Sequence, residues 1–283
     1  MAGKREKEEP HTVMRFLVLF AVLTGLTVSA SAPPAAVSPV MAEEPMETVE
    51  AVEVAMPLPD EIPAQSGDEI VPPEPVRPET MVVEAAEVPV DETYFVDAVF
   101  LGDSRTHGLQ LYGGMDEGTY LHAVGATVES VFSKKTQETA AGTVPILDAL
   151  TDMEVGKVYI MLGVNELGWP QTEKFREQYE KIITRIREDH PETQVIIQSI
   201  LPVSARQEAK KTYVNNQRIA VYNAILEELA IDTLCPYLNV QEAVVDENGC
   251  LKAEFTSDGV HLNTKGCKMW VEYLKSHPIP EIP

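Results

Sequence analysis

A serine, a histidine and an aspartate that converge can break an acyl bond, and this chain holds a candidate for each in short blocks. Ser104 closes the block Gly102-Asp103-Ser104 (FLGDSRTHG), and Asp258 and His261 share the block TSDGVHLN. A serine hydroxyl attacks an ester carbonyl only when a neighbouring base takes its proton and donors hold the oxygen that gains charge. His261 has the chemistry of that base, and then of the acid that protonates the leaving group. Asp258, three residues before it in a loop, would orient the imidazole and stabilise its cationic form. Two more blocks punctuate apolar runs: Gly125 in HAVGATV and Gly163-Val164-Asn165-Glu166 in MLGVNELGW.

Such blocks act only if the fold brings them together. Short apolar runs read as buried parallel strands at 98–101, 119–124, 157–162, 194–200 and 234–240. Between them, 172–189 and 214–230 space their apolar residues by three and four, as helices do, and a last helix is expected over 264–275. Strand alternating with helix predicts an α/β fold, a three-layer αβα sandwich around a five-stranded parallel sheet. Its expected strand order is flavodoxin-like, 2-1-3-4-5, which makes the carboxyl ends of strands two, one and three neighbours. Gly125, Ser104 and Asn165 follow those ends.

In these blocks the chain resembles the SGNH hydrolases, also called GDSL esterases and lipases, over essentially all of 93–283. The family is defined by a serine in Gly-Asp-Ser, a glycine, an asparagine in Gly-x-Asn-Asp and a histidine in Asp-x-x-His, and all four occur here in family order. The resemblance implies catalysis by Ser104, Asp258 and His261. It also implies an oxyanion hole formed by the backbone N–H groups of Ser104 and Gly125 and the side-chain amide of Asn165. A side chain at Gly125 would block close approach of substrate to the backbone. The G-x-S-x-G elbow of ordinary α/β-hydrolases is absent. The chain departs from the commonest family forms at Arg105, where a leucine is usual, and at Glu166, where the family has aspartate. Arg105 is expected to bring positive charge to the rim of the site, which would suit an anionic or sugar substrate. Asp103 reads as a turn stabiliser. His122 and Trp169 read as core or rim packing near the pocket, and His107, His190 and His277 show no role.

Composition locates the domain within the chain. The net charge is -23 over 283 residues, yet about 15 acidic residues, Arg77 as the one base and about 12 of the prolines fall within 33–92. That stretch cannot bury a core and reads as a disordered acidic, Pro-rich spacer, leaving 93–283 as one domain of about 190 residues at about -10. No basic surface is visible, which excludes a general nucleic-acid binder. Lys4, Arg5, Lys7 and Arg15 precede an uncharged run, 16–32, so 1–32 reads either as a cleaved signal peptide or as a retained membrane anchor. In both cases the domain is exported. Cys235, Cys250 and Cys267 match no zinc spacing; one disulfide with a free thiol, or three small buried residues, are both open.

The expectation is a monomeric exported serine esterase that needs no metal or cofactor. It would cleave carboxylic esters through an acyl-enzyme, small acyl groups on glycans such as O-acetyl groups foremost. An acyltransferase, a lysophospholipase or a thioesterase would use the same residues. The reading from another class is a non-catalytic carbohydrate-binding or structural head on a stalk.

Overall fold

The computed structural model describes residues 77–280, and the signal or anchor at 1–32 and most of the acidic spacer lie outside them. Strands β1 (Ala98–Gly102), β2 (Thr119–His122), β5 (Lys157–Met161), β6 (Gln194–Gln198) and β7 (Tyr237–Leu238) form a parallel sheet in the order β2-β1-β5-β6-β7. This is the order read from sequence. The short strands β3 (Gln137–Thr139) and β4 (Gly142–Val144), not foreseen, pair as a separate antiparallel hairpin.

Side chains leave a strand alternately to its two faces, and here each face has its own core. Val99, Leu101, Val158, Ile160, Val195 and Ile197 pack on one side, against helices α2 (Ile146–Thr151), α3 (Thr172–Asp189) and α5 (Asn216–Thr233). Phe100, Tyr159, Met161 and Ile196 pack on the other, against α1 (Ser104–Tyr112) and α6 (Thr264–Ser276). A sheet buried on both faces explains why its strands read as continuous apolar runs. A short helix, α4 (Ala205–Glu208), follows the turn after β6. Strand β7 is much shorter than the run 234–240. Leu234 sits in the left-handed region, φ 54°, at the end of α5, and Pro236 has no N–H to donate.

The composition boundary at 92/93 lies too late. Val83 donates to Tyr237 O at 2.9 Å and Tyr237 to Met81 O at 2.8 Å, so 81–83 runs along the free edge of β7. Ala86 then donates to Ser276 O and Val90 to Lys275 O, and Val83 is buried. Acid content averaged over 60 residues hid the local apolar run Met81-Val82-Val83. Removing 77–92 would bare the β7 edge and the pocket of Val83. Burial of one such side chain contributes about 2 kcal/mol and each backbone bond about 1 kcal/mol before ordering costs. A chain starting at 93 should therefore melt roughly 10 °C below one starting at 70 in thermal circular dichroism; equal melting would show that the strap adds nothing.

All three cysteines are free thiols, with Cys235 and Cys267 buried, so the disulfide alternative falls. Among the described residues no helix is long and apolar enough to cross a membrane.

Candidate active site

Strand register brings the sequence blocks together. Gly102 is level with His122 on one side and Met161 on the other, so the segments leaving β1, β2 and β5 emerge at one edge. Asp103 caps α1, its Oδ1 accepting from Arg105 N at 2.8 Å, which confirms it as the turn stabiliser. Ser104 is thereby the first residue of α1, where a backbone N–H has no intrahelical acceptor.

Ser104 Oγ lies 2.9 Å from His261 Nε2, and His261 Nδ1 lies 2.7 Å from Asp258 Oδ2. The remaining oxygen, Asp258 Oδ1, accepts from the backbone N–H groups of Val260 and His261, both at 2.8 Å. Partial burial works to raise the Asp258 carboxyl, but hydrogen bonds from the imidazole and from these N–H groups hold it down at about 2. The loop is seated on α4: Ser204 donates to Gly259 O at 2.9 Å, and Arg206 bonds to Ser257 O. At Gly259, φ is 95° and a Cβ would come within 2.6 Å of Ser204 Oγ, so only glycine fits between Asp258 and His261. No feature of the sequence marked this support, because Ser204 and Arg206 lie about 50 residues away in the chain.

Gly125 is exposed at φ 74°, with open space where a Cβ would be. Left-handed backbone is thus a second reason for glycine there. It belongs to the turn after β2, closed by Ala126 N to Ala123 O at 3.0 Å, which ends the strand two residues before the apolar run does. Asn165 Nδ2 donates to Ala126 O at 2.8 Å. Its second amide hydrogen remains, and among the described residues the Gly125 N–H has no acceptor.

The two departures from the family pattern are both buried. Arg105 is 2% exposed, so, against the expectation, it brings no charge to the rim. One step along a helix turns a side chain by about 100° from its neighbour, and Arg105 leaves Ser104 to reach inward and donate to Leu201 O at 2.7 Å. Burial lowers the guanidinium to about 10, opposed by the carboxylates of Asp103 and Asp258. Burial likewise raises Asp103, against the pull of Arg105. With Arg105 inside, the argument it gave for an anionic or sugar substrate goes.

Glu166 is fully buried, and its Oε1 accepts from Val128 N at 2.6 Å, which ties the turn of Asn165 to the loop after Gly125. Burial lifts its carboxyl to about 8, the bond from Val128 notwithstanding, which favours the neutral acid well above the ordinary carboxylate range. An acid raised by folding loses stability for the fold as pH climbs from the ordinary carboxylate value towards 8, because only the unfolded chain ionises there. Glu166→Gln keeps the acceptor and removes that titration. Its melting temperature should accordingly exceed that of the wild type at pH 8 and approach it at pH 4; an equal difference at both would contradict a buried neutral acid.

His122 pairs with Gln110 (2.7 Å) and stacks on His107, ring centroids 4.5 Å apart, which gives His107 a packing role that the sequence did not show. Trp169 is half-buried against the core.

A three-layer α/β domain with serine, histidine and aspartate hydrogen-bonded in line at the carboxyl edge of its sheet has the layout of a class of hydrolases. Within that class, the model of the GDSL-like Lipase/Acylhydrolase family matches residues 100–269, and this chain belongs to that family. Among solved structures, a Streptococcus pneumonia protein described provisionally as a platelet activating factor is 27% identical, with a TM-score of 0.53 over 64% of this chain and 83% of that one. A protein from Parabacteroides merdae, described provisionally as a GDSL-like lipase, is 14% identical, with a TM-score of 0.50 over 65% and 96%. No match was found among curated proteins.

Proposed function

We propose that this chain is an exported serine esterase that removes short acyl groups from glycans through an acyl-enzyme. The carrying observation is the hydrogen-bonded line from Ser104 Oγ through His261 to Asp258 Oδ2, 2.9 and 2.7 Å long. Ser104 Oγ adds to the acyl carbon while its proton passes to His261 Nε2. The developing oxyanion is met by the N–H groups of Ser104 and Gly125 and by the free hydrogen of Asn165 Nδ2, at the positive end of α1. His261 then gives its proton to the leaving alkoxide oxygen as the ester C–O bond breaks. Water, deprotonated by the same nitrogen, adds to the acyl carbon, the C–Oγ bond breaks to release the acid, and the proton returns from Nε2 to Ser104 Oγ.

The shape of the site supports a short acyl group. The side chains of His261 and Asp258 are about half exposed, 47% and 52%, and Gly125 is exposed too. A cavity of about 550 Å³, lined mainly by apolar groups, lies instead at the opposite edge, beside Gln194 and Pro236 ahead of β6 and β7. A long acyl chain would lie in water here. The basic residues ahead of the apolar run at 16–32 support export.

The test is the full chain with a short-chain aryl ester, an active-serine phosphonate and a panel of acetylated glycans. Labelling and turnover that vanish in Ser104→Ala, with acetate released from a glycan, are expected. Labelling equal in the two proteins would overturn the esterase reading.

A further inference from the structure

The segment that carries Asn165 runs on through Gly168 to Trp169, and Trp169 N donates to Glu166 O at 2.7 Å. The backbone of Trp169 is therefore tied to the same turn as Asn165. Beside it is a hollow of about 280 Å³ lined by Glu129, Trp169, Pro170, Gln171 and Lys174. Its other wall, Glu129, follows Val128, whose N–H is held by Glu166. Both walls are thus anchored to the loops that present Gly125 and Asn165.

Glu129 and Lys174 form an ion pair 2.7 Å long, half exposed on both sides, and Lys174 Nζ lies 5.1 Å from the centre of the indole. Gln171 is exposed, without a side-chain partner among the described residues. The ring of Tyr213, 57% exposed, lies beside Gly168, where a Cβ would meet it at 3.3 Å.

An acyl chain in this hollow would strip water from the carboxylate and ammonium and give nothing back. An anion would meet Glu129, and a cation Lys174. A neutral ligand with an apolar face and a hydroxylated edge satisfies all of these groups, and a pyranose ring is such a ligand. Its C–H face covers the indole in place of Lys174, whose exposed ion pair is weakly held. Its hydroxyls are within the donor and acceptor capacity of Glu129, Lys174 and Gln171. Resting on the esterase reading, we propose that this hollow is a subsite for a neutral sugar residue neighbouring the one that carries the ester.

The chain's two tryptophans make the test direct. Trp270 is fully buried and bonded to Gln198, so a sugar that reaches the surface alters the emission of Trp169. Full-length Ser104→Ala is titrated with unacylated xylotetraose, cellotetraose and chitotetraose. The expected result is a saturable emission change with at least one of them, lost when Trp169→Phe is added. Wild type and Trp169→Phe are then compared on an acetylated oligosaccharide and an aryl acetate. We expect kcat/KM to fall about tenfold for the first and to stay within about twofold for the second. No emission change with any sugar, or equal losses on the two substrates, overturns the subsite. Serine labelling and aryl ester turnover report on the esterase reading separately. If they fail while the emission change persists, the sugar site stands and the catalytic reading falls.

Discussion

Ser104→Ala should lower kcat for ester hydrolysis by about 10⁵ or more, since on the proposed mechanism it removes the nucleophile and with it the acyl-enzyme route. The fold should scarcely notice. The one hydrogen bond of Ser104 Oγ among the described residues is to His261, and the cap of α1 is Asp103, whose carboxylate is untouched. Alanine at the first helical position has high helix propensity, so melting should shift by no more than about 2 °C. A steep loss of activity with an unchanged melt separates chemistry from stability. His261→Ala added to Ser104→Ala should cost almost nothing more, because the two groups act as one unit. A Ser104→Ala protein that still turned over an aryl ester at a tenth of the wild-type rate would remove Ser104 from the mechanism.

Much of this arrangement could be read before any coordinates. The strands were legible because a sheet covered on both faces demands apolar side chains at every position, as in Val158-Tyr159-Ile160-Met161. Three of the blocks were legible because each follows such a run closely, so topology alone brings Ser104, Gly125 and Asn165 to one edge. Residues whose surroundings come from distant segments were not legible. Arg105 is adjacent to the nucleophile in sequence, yet its direction is decided by a carbonyl at Leu201. The role of Glu166 depends on Val128, and the seat of Gly259 depends on Ser204. The strap at 81–90 failed for another reason: a few hydrogen-bonding residues on a sheet edge are invisible to an average over an acidic tract.

The support beneath Asp258 leads to a sharper expectation than loss of charge alone. Asp258 Oδ1 is held by the N–H groups of Val260 and His261, while Oδ2 faces His261 Nδ1. In Asp258→Asn those two backbone donors keep the amide oxygen at the Oδ1 position, which turns the NH₂ group towards the imidazole. Nδ1 must then accept, the ring proton moves to Nε2, and Nε2 can no longer take the proton of Ser104. The expected cost is about 10⁴ in kcat with the loop conformation kept. Folding lowers the Asp258 carboxyl from 3.8 to about 2, so its ionised form contributes stability in full above about pH 4 and loses it as pH falls through about 2. The melting temperatures of wild type and Asp258→Asn should accordingly draw together as acid titrates the aspartate, while the difference in turnover is read at neutral pH. Imidazole proton resonances of the variant should show the neutral ring protonated at Nε2. A ring still protonated at Nδ1, with turnover reduced less than about tenfold, would mean that Asp258 only shapes the loop.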